Sequence, residues 1–278
     1  PWHEPRQRED IIGKLTGNDR YATDDPDLRL PSCPESFDRL RYTLTDSEIE
    51  RYRAIGRDAT DAIETAARRV EPGMSEAEAA GILAGEYSAR NLRPVVLLVA
   101  AEERIRRWRH PLPKDEPIDQ YAMLVCCGRR RGLVTAVTRF VHFGPMSHDL
   151  VERHRAVCEV DAALISATRP GRQTGDVFRQ GQAAYEDVGF GGEWKLHHQG
   201  GAIGYLPREY IANPSSRQEV MDPQAFAWNP SIRGTKSEDT VLISEDGHEM
   251  LTSPSDDWPT VDIEIDGEVI PRADMLVR

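Results

Sequence analysis

The chain has little of several features that would assign it to a class of protein at once. Only four of its 278 residues are cysteine, and two of these, Cys126 and Cys127, are adjacent. They form neither a disulfide framework nor a paired Cys-x-x-Cys metal motif, so we expect a reducing, cytoplasmic compartment. No apolar run approaches about 18 residues, the length that a membrane-spanning helix needs. With a mean hydropathy of −0.57, this excludes a membrane-spanning helix.

A surplus of basic charge is also missing. The 35 lysines and arginines are outnumbered by 47 aspartates and glutamates, which gives a net charge of −12. Because a nucleic-acid-binding surface needs clustered cations to neutralise phosphates, this balance argues against a nucleic-acid partner. Short basic runs at 104–109 and 129–131 are exceptions, but a solvated helix face or hairpin turn explains them better.

The chain does contain an order of elements that occurs twice. Thr45 and Glu48 form a capping-box pattern before a helical apolar period, which predicts a long helix ending before Pro72-Gly73. The Ser75 and Glu78 pair repeats the pattern for a second helix to about residue 89, and strand-like runs follow at 94–100, 121–127 and 132–143. From about residue 147 two more helices, divided by Pro170-Gly171, again lead to a strand-like region. This duplication predicts two similar halves.

The two ends of the chain differ from this repeated part. Residues 1–44 are rich in Pro, Asp and Arg and have no sustained apolar period, so we expect an extended arm or the remnant of an upstream domain. Residues 45–253 form the predicted main domain. Residues 254–278 alternate around Asp266-Gly267, which predicts a C-terminal hairpin.

Four segments, at 123–128, 132–139, 197–205 and 228–240, carry a resemblance to a known family. They resemble the pita-bread family, which includes methionine aminopeptidase, aminopeptidase P, prolidase and the metal-free hydrolase creatinase. The resemblance spans residues 45 to 252. It implies an α/β (α+β) fold in which two pseudo-symmetric helix-helix-strand halves form one curved sheet flanked by helices, and it implies a homodimer.

The family's metal-ligand positions are mostly changed in this chain. By resemblance, two strand aspartates correspond to Cys126 and Ala136, and the metal histidine corresponds to Gly201. Asn229 replaces one late acid, and Glu238 retains the other. A dinuclear centre needs several anionic oxygen ligands, usually with an imidazole, so we expect neither a metal nor another cofactor. The turn between Cys126 and Ala136 is one residue short, which leaves the register of Cys126 open.

Three residues form the predicted catalytic set. His110, in Arg109-His110-Pro111, matches a substrate-facing histidine that transfers protons in creatinase. His197, four residues before Gly201, matches a second substrate-contacting histidine, whereas we expect its neighbour His198 to pack or to lie on the surface. Glu238 completes the set, as a base or as the ion-pair partner of Lys236.

Seven further residues are predicted to bind substrate. Arg208 would direct a cation toward the pocket, Asn229 keeps the shape of a carboxylate without its charge, and the glycine turn at Gly201 could offer amide N–H groups. For two of the residues a structural role is an alternative to substrate binding. Arg139 could form an ion pair, and a buried thiol at Cys126 would be inert. The predicted substrate-binding set is Arg208, Asn229, Lys236, Gly201, Cys126, Glu209 and Arg139.

These residues favour a metal-independent, creatinase-like hydrolase or lyase. It would act on a C–N bond of a small polar or amino-acid-like substrate, or a short peptide, by histidine acid–base catalysis. One alternative is a non-catalytic pita-bread module that binds a peptide or protein, since fold alone does not determine function. Another is a peptidase of the Xaa-Pro type with an unusual metal set.

Overall fold

The computed structural model describes residues 6–17, 21–24, 31–33 and 35–278, and the chain divides into two units, 1–41 and 42–278. The first unit contains helix α1 (Arg6–Thr16), the short helix α2 (Glu35–Asp38) and a 3-10 turn at Arg39–Arg41. The prediction of an extended arm is therefore wrong for Arg6–Thr16. Its few apolar residues are too sparse to give a helical period, and Ile11 and Leu15 are largely exposed.

The second unit contains the repeated elements. Its helices are α3 (Asp46–Arg69), α4 (Glu76–Ala89), α5 (Glu102–Arg107), α6 (His148–Ala167) and α7 (Thr174–Asp187), with a 3-10 turn at Glu193–Leu196. Its strands are β1 (Arg93–Ala101), β2 (Tyr121–Arg130), β3 (Leu133–His142), β4 (Gly200–Ala202), β5 (Tyr210–Ile211), β6 (Gln224–Trp228), β7 (Ser231–Ile232), β8 (Thr235–Lys236), β9 (Asp239–Ser244), β10 (Gly247–Met250), β11 (Thr260–Ile265), β12 (Glu268–Ala273) and β13 (Leu276–Val277). The two halves, α3-α4-β1 and α6-α7-β4, have the predicted order.

Local capping explains where the first two helices of this unit begin. The Thr45 side chain accepts from the Glu48 N–H, and the Glu48 carboxylate accepts from the Thr45 N–H at 2.7 Å. Ser75 and Glu78 make the same pair of bonds at the start of α4. Both capping-box predictions are confirmed. Each box satisfies N–H groups that the first helical turn would otherwise leave unpaired.

The strands group into two main sheets that are joined along β3. A four-stranded sheet has the order β1-β2-β3-β13, and a five-stranded sheet has the order β10-β9-β6-β4-β5. The sheets meet along β3, where Thr138 N donates to Glu238 O at 3.0 Å and Ala136 N donates to Thr240 Oγ1 at 2.8 Å. The mixed α/β fold with two similar halves is confirmed, and this junction places Glu238 beside β3.

The C-terminal segment forms a hairpin that belongs to the second unit. Strands β11 and β12 pair around Asp266 and Gly267, which have φ angles of 53° and 80°, as the Asp-Gly turn predicted. In β12, Arg272 is fully buried and forms ion pairs with Asp161 and Asp239, both at 2.7 Å. Strand β13 pairs in parallel with β3. Residues 254–278 thus contain the predicted hairpin and lie within the second unit.

No helix in the described ranges is long and apolar enough to cross a membrane.

Candidate active site

A cleft of about 290 Å³ lies at the junction of the two sheets. One wall is apolar and comes mainly from β1 and β2. The other end is polar and carries side chains from the segments that flank α5, β4, β6 and β8. The residues that line it are Val96, Leu98, Leu112, Val125, Cys127 and Pro207 on the apolar side, and His110, His198, Arg208, Asn229, Lys236 and Glu238 on the polar side.

Three histidines meet at the polar end. His110 Nε2 and His197 Nε2 are 2.9 Å apart, and the rings of His197 and His198 stack with centroids 4.5 Å apart. A hydrogen bond between two imidazoles requires an N–H on one ring and a lone pair on the other. His110 lines the cleft, whereas His197 does not line it and contacts the His110 ring. One of the two rings therefore donates this hydrogen bond and the other accepts it.

His198 is the histidine that sequence reasoning placed incorrectly. An extended segment would point His197 and His198 to opposite faces, but β4 begins only at Gly200, after the 3-10 turn that ends at Leu196. The two rings consequently stack, and His198 lines the cleft 5.3 Å from the ring of His110, measured between centroids. In the sequence, only its position next to His197 indicated that His198 could belong to the site.

Burial and nearby cations keep these imidazoles neutral. Burial lowers the pKa of His110, and the positive charge of Lys236 lowers it further. The same two causes lower the pKa of His197 strongly. Burial, followed by the charge of Arg208, lowers the pKa of His198 to about 4. At neutral pH each ring is therefore neutral, and the large lowering makes His197 and His198 weak bases, which leaves His110 as the best candidate for a general base.

Glu238 is held by three donors. Its Oε2 accepts from Lys236 Nζ and from Thr138 Oγ1, both at 2.7 Å, and its Oε1 accepts from Arg208 Nη2 at 3.1 Å. Burial by itself would raise the pKa of Glu238, but the two cations outweigh it and lower the pKa to about 2. The carboxylate stays ionised, and both oxygens are engaged. The structure therefore places Glu238 as an anchor for Lys236 and Arg208.

Cys127, rather than Cys126, faces the cleft. Side chains alternate along a strand, so Val125 and Cys127 share one face of β2 while Cys126 points to the other, near Tyr87. The placement of Cys126 in the substrate set is corrected accordingly. Burial raises the pKa of Cys127 to about 11 and that of Cys126 well above its usual value. Neither is a thiolate at neutral pH, so neither is an activated nucleophile.

Three other residues of the predicted substrate set lie away from the cleft lining. Gly201 lies inside β4, paired with Ala227 and Ile211, so the predicted turn is an interior strand and its backbone belongs to the sheet. Glu209 Oε1 accepts from the backbone N–H groups of Tyr205 and Leu206 and so shapes the loop that carries Arg208.

The third of these residues, Arg139, forms structural ion pairs instead of binding substrate. Its side chain is fully buried on the face of β3 opposite to that of Thr138, and it forms ion pairs with Glu64 at 3.3 Å and Asp239 at 3.0 Å. Arg208, Asn229 and Lys236 do line the cleft, together with His110 and Glu238. The structure thus brings five of the ten predicted residues into one cleft lining.

The fold and this cleft define a mixed α/β protein of two similar halves with a polar site at their junction. The model of metallopeptidase family M24 matches residues 50–245, and the chain belongs to this family. It is 22% identical to an uncharacterized peptidase of Staphylococcus haemolyticus strain JCSC1435. The 227 aligned residues cover 78% of this chain and 64% of that relative. The chain thus spans less than two thirds of the length of that relative.

Two solved structures share the fold. An X-Pro aminopeptidase from Thermotoga maritima MSB8 superposes with a TM-score of 0.78 at 17% identity, covering 97% of this chain and 72% of that one. A prolidase from Pyrococcus furiosus superposes with a TM-score of 0.73 at 20% identity, covering 79% and 67%. At these identities the likeness concerns the fold alone.

A pair of hard divalent cations, held by carboxylates, does not fit the described residues of this cleft. Glu238 is the only carboxylate among the described residues that line the cleft, and its oxygens are bound by Lys236, Arg208 and Thr138. A pair of hard divalent cations requires several free anionic oxygens. Here the two side-chain cations occupy the one carboxylate and would repel metal ions.

Proposed function

We propose that the protein is a metal-independent hydrolase or lyase that acts on a C–N bond of a small amino-acid-like substrate. The observation that carries this proposal is the engagement of both Glu238 oxygens by Lys236 and Arg208 beside neutral imidazoles. The two cations and one carboxylate leave the site with a positive charge, which suits an anion better than a metal ion. The site retains the groups that move protons near neutral pH.

In the hydrolase form, His110 is the group that contacts the reacting atoms. Neutral His110 takes a proton from a water molecule as that water attacks the carbon of the C–N bond, and then gives the proton to the departing nitrogen. His197 is a positioning residue, because its 2.9 Å contact orients the His110 ring. Glu238 is also a positioning residue, since it fixes Lys236 and Arg208 where they can bind the negative charge of a substrate.

Turnover is the direct test. We would screen N-substituted amino acids, small amides and guanidino compounds with wild type, His110→Ala and, as a matched control, His148→Ala. The His148 side chain is 86% exposed on α6, so its loss should not affect the cleft. We expect a loss of at least about 100-fold in kcat/KM for His110→Ala only, since positioned acid–base groups contribute about that much. Equal turnover by His110→Ala would remove His110 from the mechanism.

Metal content tests the other half of the proposal. Elemental analysis of protein purified without chelator should find manganese, cobalt, iron and zinc well below one equivalent, and activity should survive dialysis against a chelator. Stoichiometric metal that restores activity after removal would overturn the metal-independent mechanism.

One observation favours a second candidate function, a peptidase with an unusual metal set. One ring nitrogen from each of His110, His197 and His198 lies within 4.8 Å of the others. Three imidazoles suit zinc or copper, although Lys236 and Arg208 next to them oppose a cation. One equivalent of zinc, lost in His198→Ala together with peptidase activity on Xaa-Pro dipeptides, would support this candidate.

A further inference from the structure

The cleft contains hydrogen-bond donors that its own residues leave available. The Lys236 ammonium has three N–H bonds, and Glu238 Oε2 accepts one of them. Arg208 Nε is buried and has no hydrogen-bond partner among the described residues. The two cations also carry one more charge than Glu238 neutralises. Because buried donors and charges are costly without a partner, this end of the cleft is built for an anionic group.

The cleft also contains an acceptor without a donor. Asn229 is 1% exposed, and its Oδ1 has no hydrogen-bond partner within the described part of the chain. An amide oxygen is neutral, so it suits the N–H of another neutral amide. A protonated amine would be repelled by Lys236 and Arg208, because Glu238, the one carboxylate in the described lining, has both oxygens engaged and neutralises only one of the two positive charges. The excess positive charge therefore disfavours a ligand with a free amino terminus.

The remaining lining sets the shape of the ligand. Val96, Leu98, Leu112 and Val125 form an apolar surface opposite the polar end. At about 290 Å³ the cleft is at the small end of the range of ligand pockets, which begins near about 300 Å³. It has room for one apolar side chain and the polar groups attached to it, but not for a long peptide.

We propose that the cleft binds a small N-acyl amino acid, or a similar amide-bearing carboxylate, with an apolar side chain. Its carboxylate contacts Lys236 and Arg208, its amide N–H donates to Asn229, and its side chain lies on the apolar wall. The inference rests on the proposed function, because the amide C–N bond is then the bond that His110 faces. Hydrolysis adds one water, so that the acyl carbon gains the hydroxyl and the nitrogen gains the hydrogen.

Calorimetric titration of the full chain with three probes tests this assignment. N-acetyl-L-leucine has the carboxylate, the amide N–H and the apolar side chain. N-acetyl-L-leucinamide lacks the negative charge, and L-leucine replaces the amide by an ammonium. We expect the first to bind and the other two to bind at least about tenfold more weakly, since each loses a hydrogen bond that involves a charged or buried group. Equal binding of either control, or no heat from any probe at millimolar concentration, would overturn the proposal.

Two variants locate the binding site. Lys236→Met should lose the preference for the acid over its amide, whereas Lys114→Met, which changes an exposed lysine, should keep it. Retention of the preference in Lys236→Met would contradict the assignment. If Lys236→Met does not fold, the three probes on wild type decide by themselves. Acid-selective binding without hydrolysis would contradict the proposed hydrolase only, while hydrolysis of small amides without acid preference would contradict this inference only.

Discussion

Glu238 influences the electrostatics of the cleft because it binds the side chains of Lys236 and Arg208. It neutralises one of two cations, keeps both in place and leaves the neighbouring histidines next to a net positive charge. That charge lowers the pKa of His110 and of His197 beyond the effect of burial. The contacts of this one side chain thus contribute to keeping the neighbouring imidazoles neutral.

The pH dependence of turnover should reflect this arrangement. A base must be neutral, and the pKa of His110 is lowered, so activity should persist below pH 6.5 and fall only as the pH drops through the lowered pKa. Lys236→Met removes a positive charge, so the acid limb of kcat/KM should move to higher pH. A pH–rate profile for both proteins measures this. An unmoved limb would show that another group titrates.

Removal of the Glu238 charge should destabilise the fold. Glu238→Gln leaves the buried Lys236 and the partly buried Arg208 without a counter-charge, at a cost of about 3 kcal/mol in the free energy of unfolding. The pKa of Glu238 is depressed from 4.5 to about 2, so its contribution is complete above the unfolded value and is lost as the pH falls from about 5 toward 2. Urea denaturation at pH 7 and pH 3 should therefore show a smaller difference between variant and wild type at pH 3.

The exposed Glu245→Gln is the control for this measurement. It should match wild type at both pH values. A Glu238→Gln variant as stable as wild type at pH 7 would contradict the role of Glu238 as an anchor.

At the scale of elements, the close approach of β4 to β5 explains why Gly201 cannot be a ligand position. A Cβ at Gly201 would lie 2.3 Å from Tyr210 O and 3.0 Å from Ala212 N, and the φ angle there is 153°. The absent side chain therefore reflects a strand spacing that admits only glycine. A histidine at this position would have to push β5 aside.

Substitution of this glycine tests the spacing. Gly201→Ala should lower the free energy of unfolding by about 2 kcal/mol because the added methyl overlaps backbone atoms of β5. Gly192→Ala, with no atom within 4 Å of the added Cβ, should change it little. Thermal or urea unfolding measures both. Gly201→His should be destabilised further and should not gain a metal ion, and a stable, metal-binding Gly201→His would contradict this interpretation.

At the scale of the second unit, buried ion pairs join elements that are distant in sequence. Arg272 of β12 pairs with Asp161 of α6 and with Asp239, which in turn pairs with Arg139 of β3. These pairs connect the C-terminal hairpin to the junction where Glu238 lies. Desolvated charges tolerate the loss of a partner poorly.

The C-terminal hairpin should therefore be required for folding. Arg272→Met should destabilise the protein by about 3–5 kcal/mol, because it leaves Asp161 and Asp239 buried without that partner. Arg57→Met, at an exposed position of α3, is the control. A chain truncated after Ser253 should lose cooperative thermal unfolding, as followed by circular dichroism. A sharp transition in the truncated chain would show that the hairpin is dispensable.

The sequence by itself determined the elements that local interactions specify. Capping at Thr45 and Ser75, apolar periods and the Asp266-Gly267 turn act over a few residues, so the helices α3, α4, α6 and α7 and the hairpin could be located in advance. Motif spacing also sufficed for the family and for the cleft residues His110, Asn229 and Glu238.

Only the tertiary structure decided which side chains meet in the cleft. The pairing of β2 selected Cys127 over Cys126, and the path after the 3-10 turn brought His198 to His110. The junction of β3 with β9 placed Thr138 on Glu238, and the loop before β5 placed Arg208 there. These contacts depend on strand register and on chain segments far apart in sequence, and a one-residue change in register reverses which face a side chain occupies.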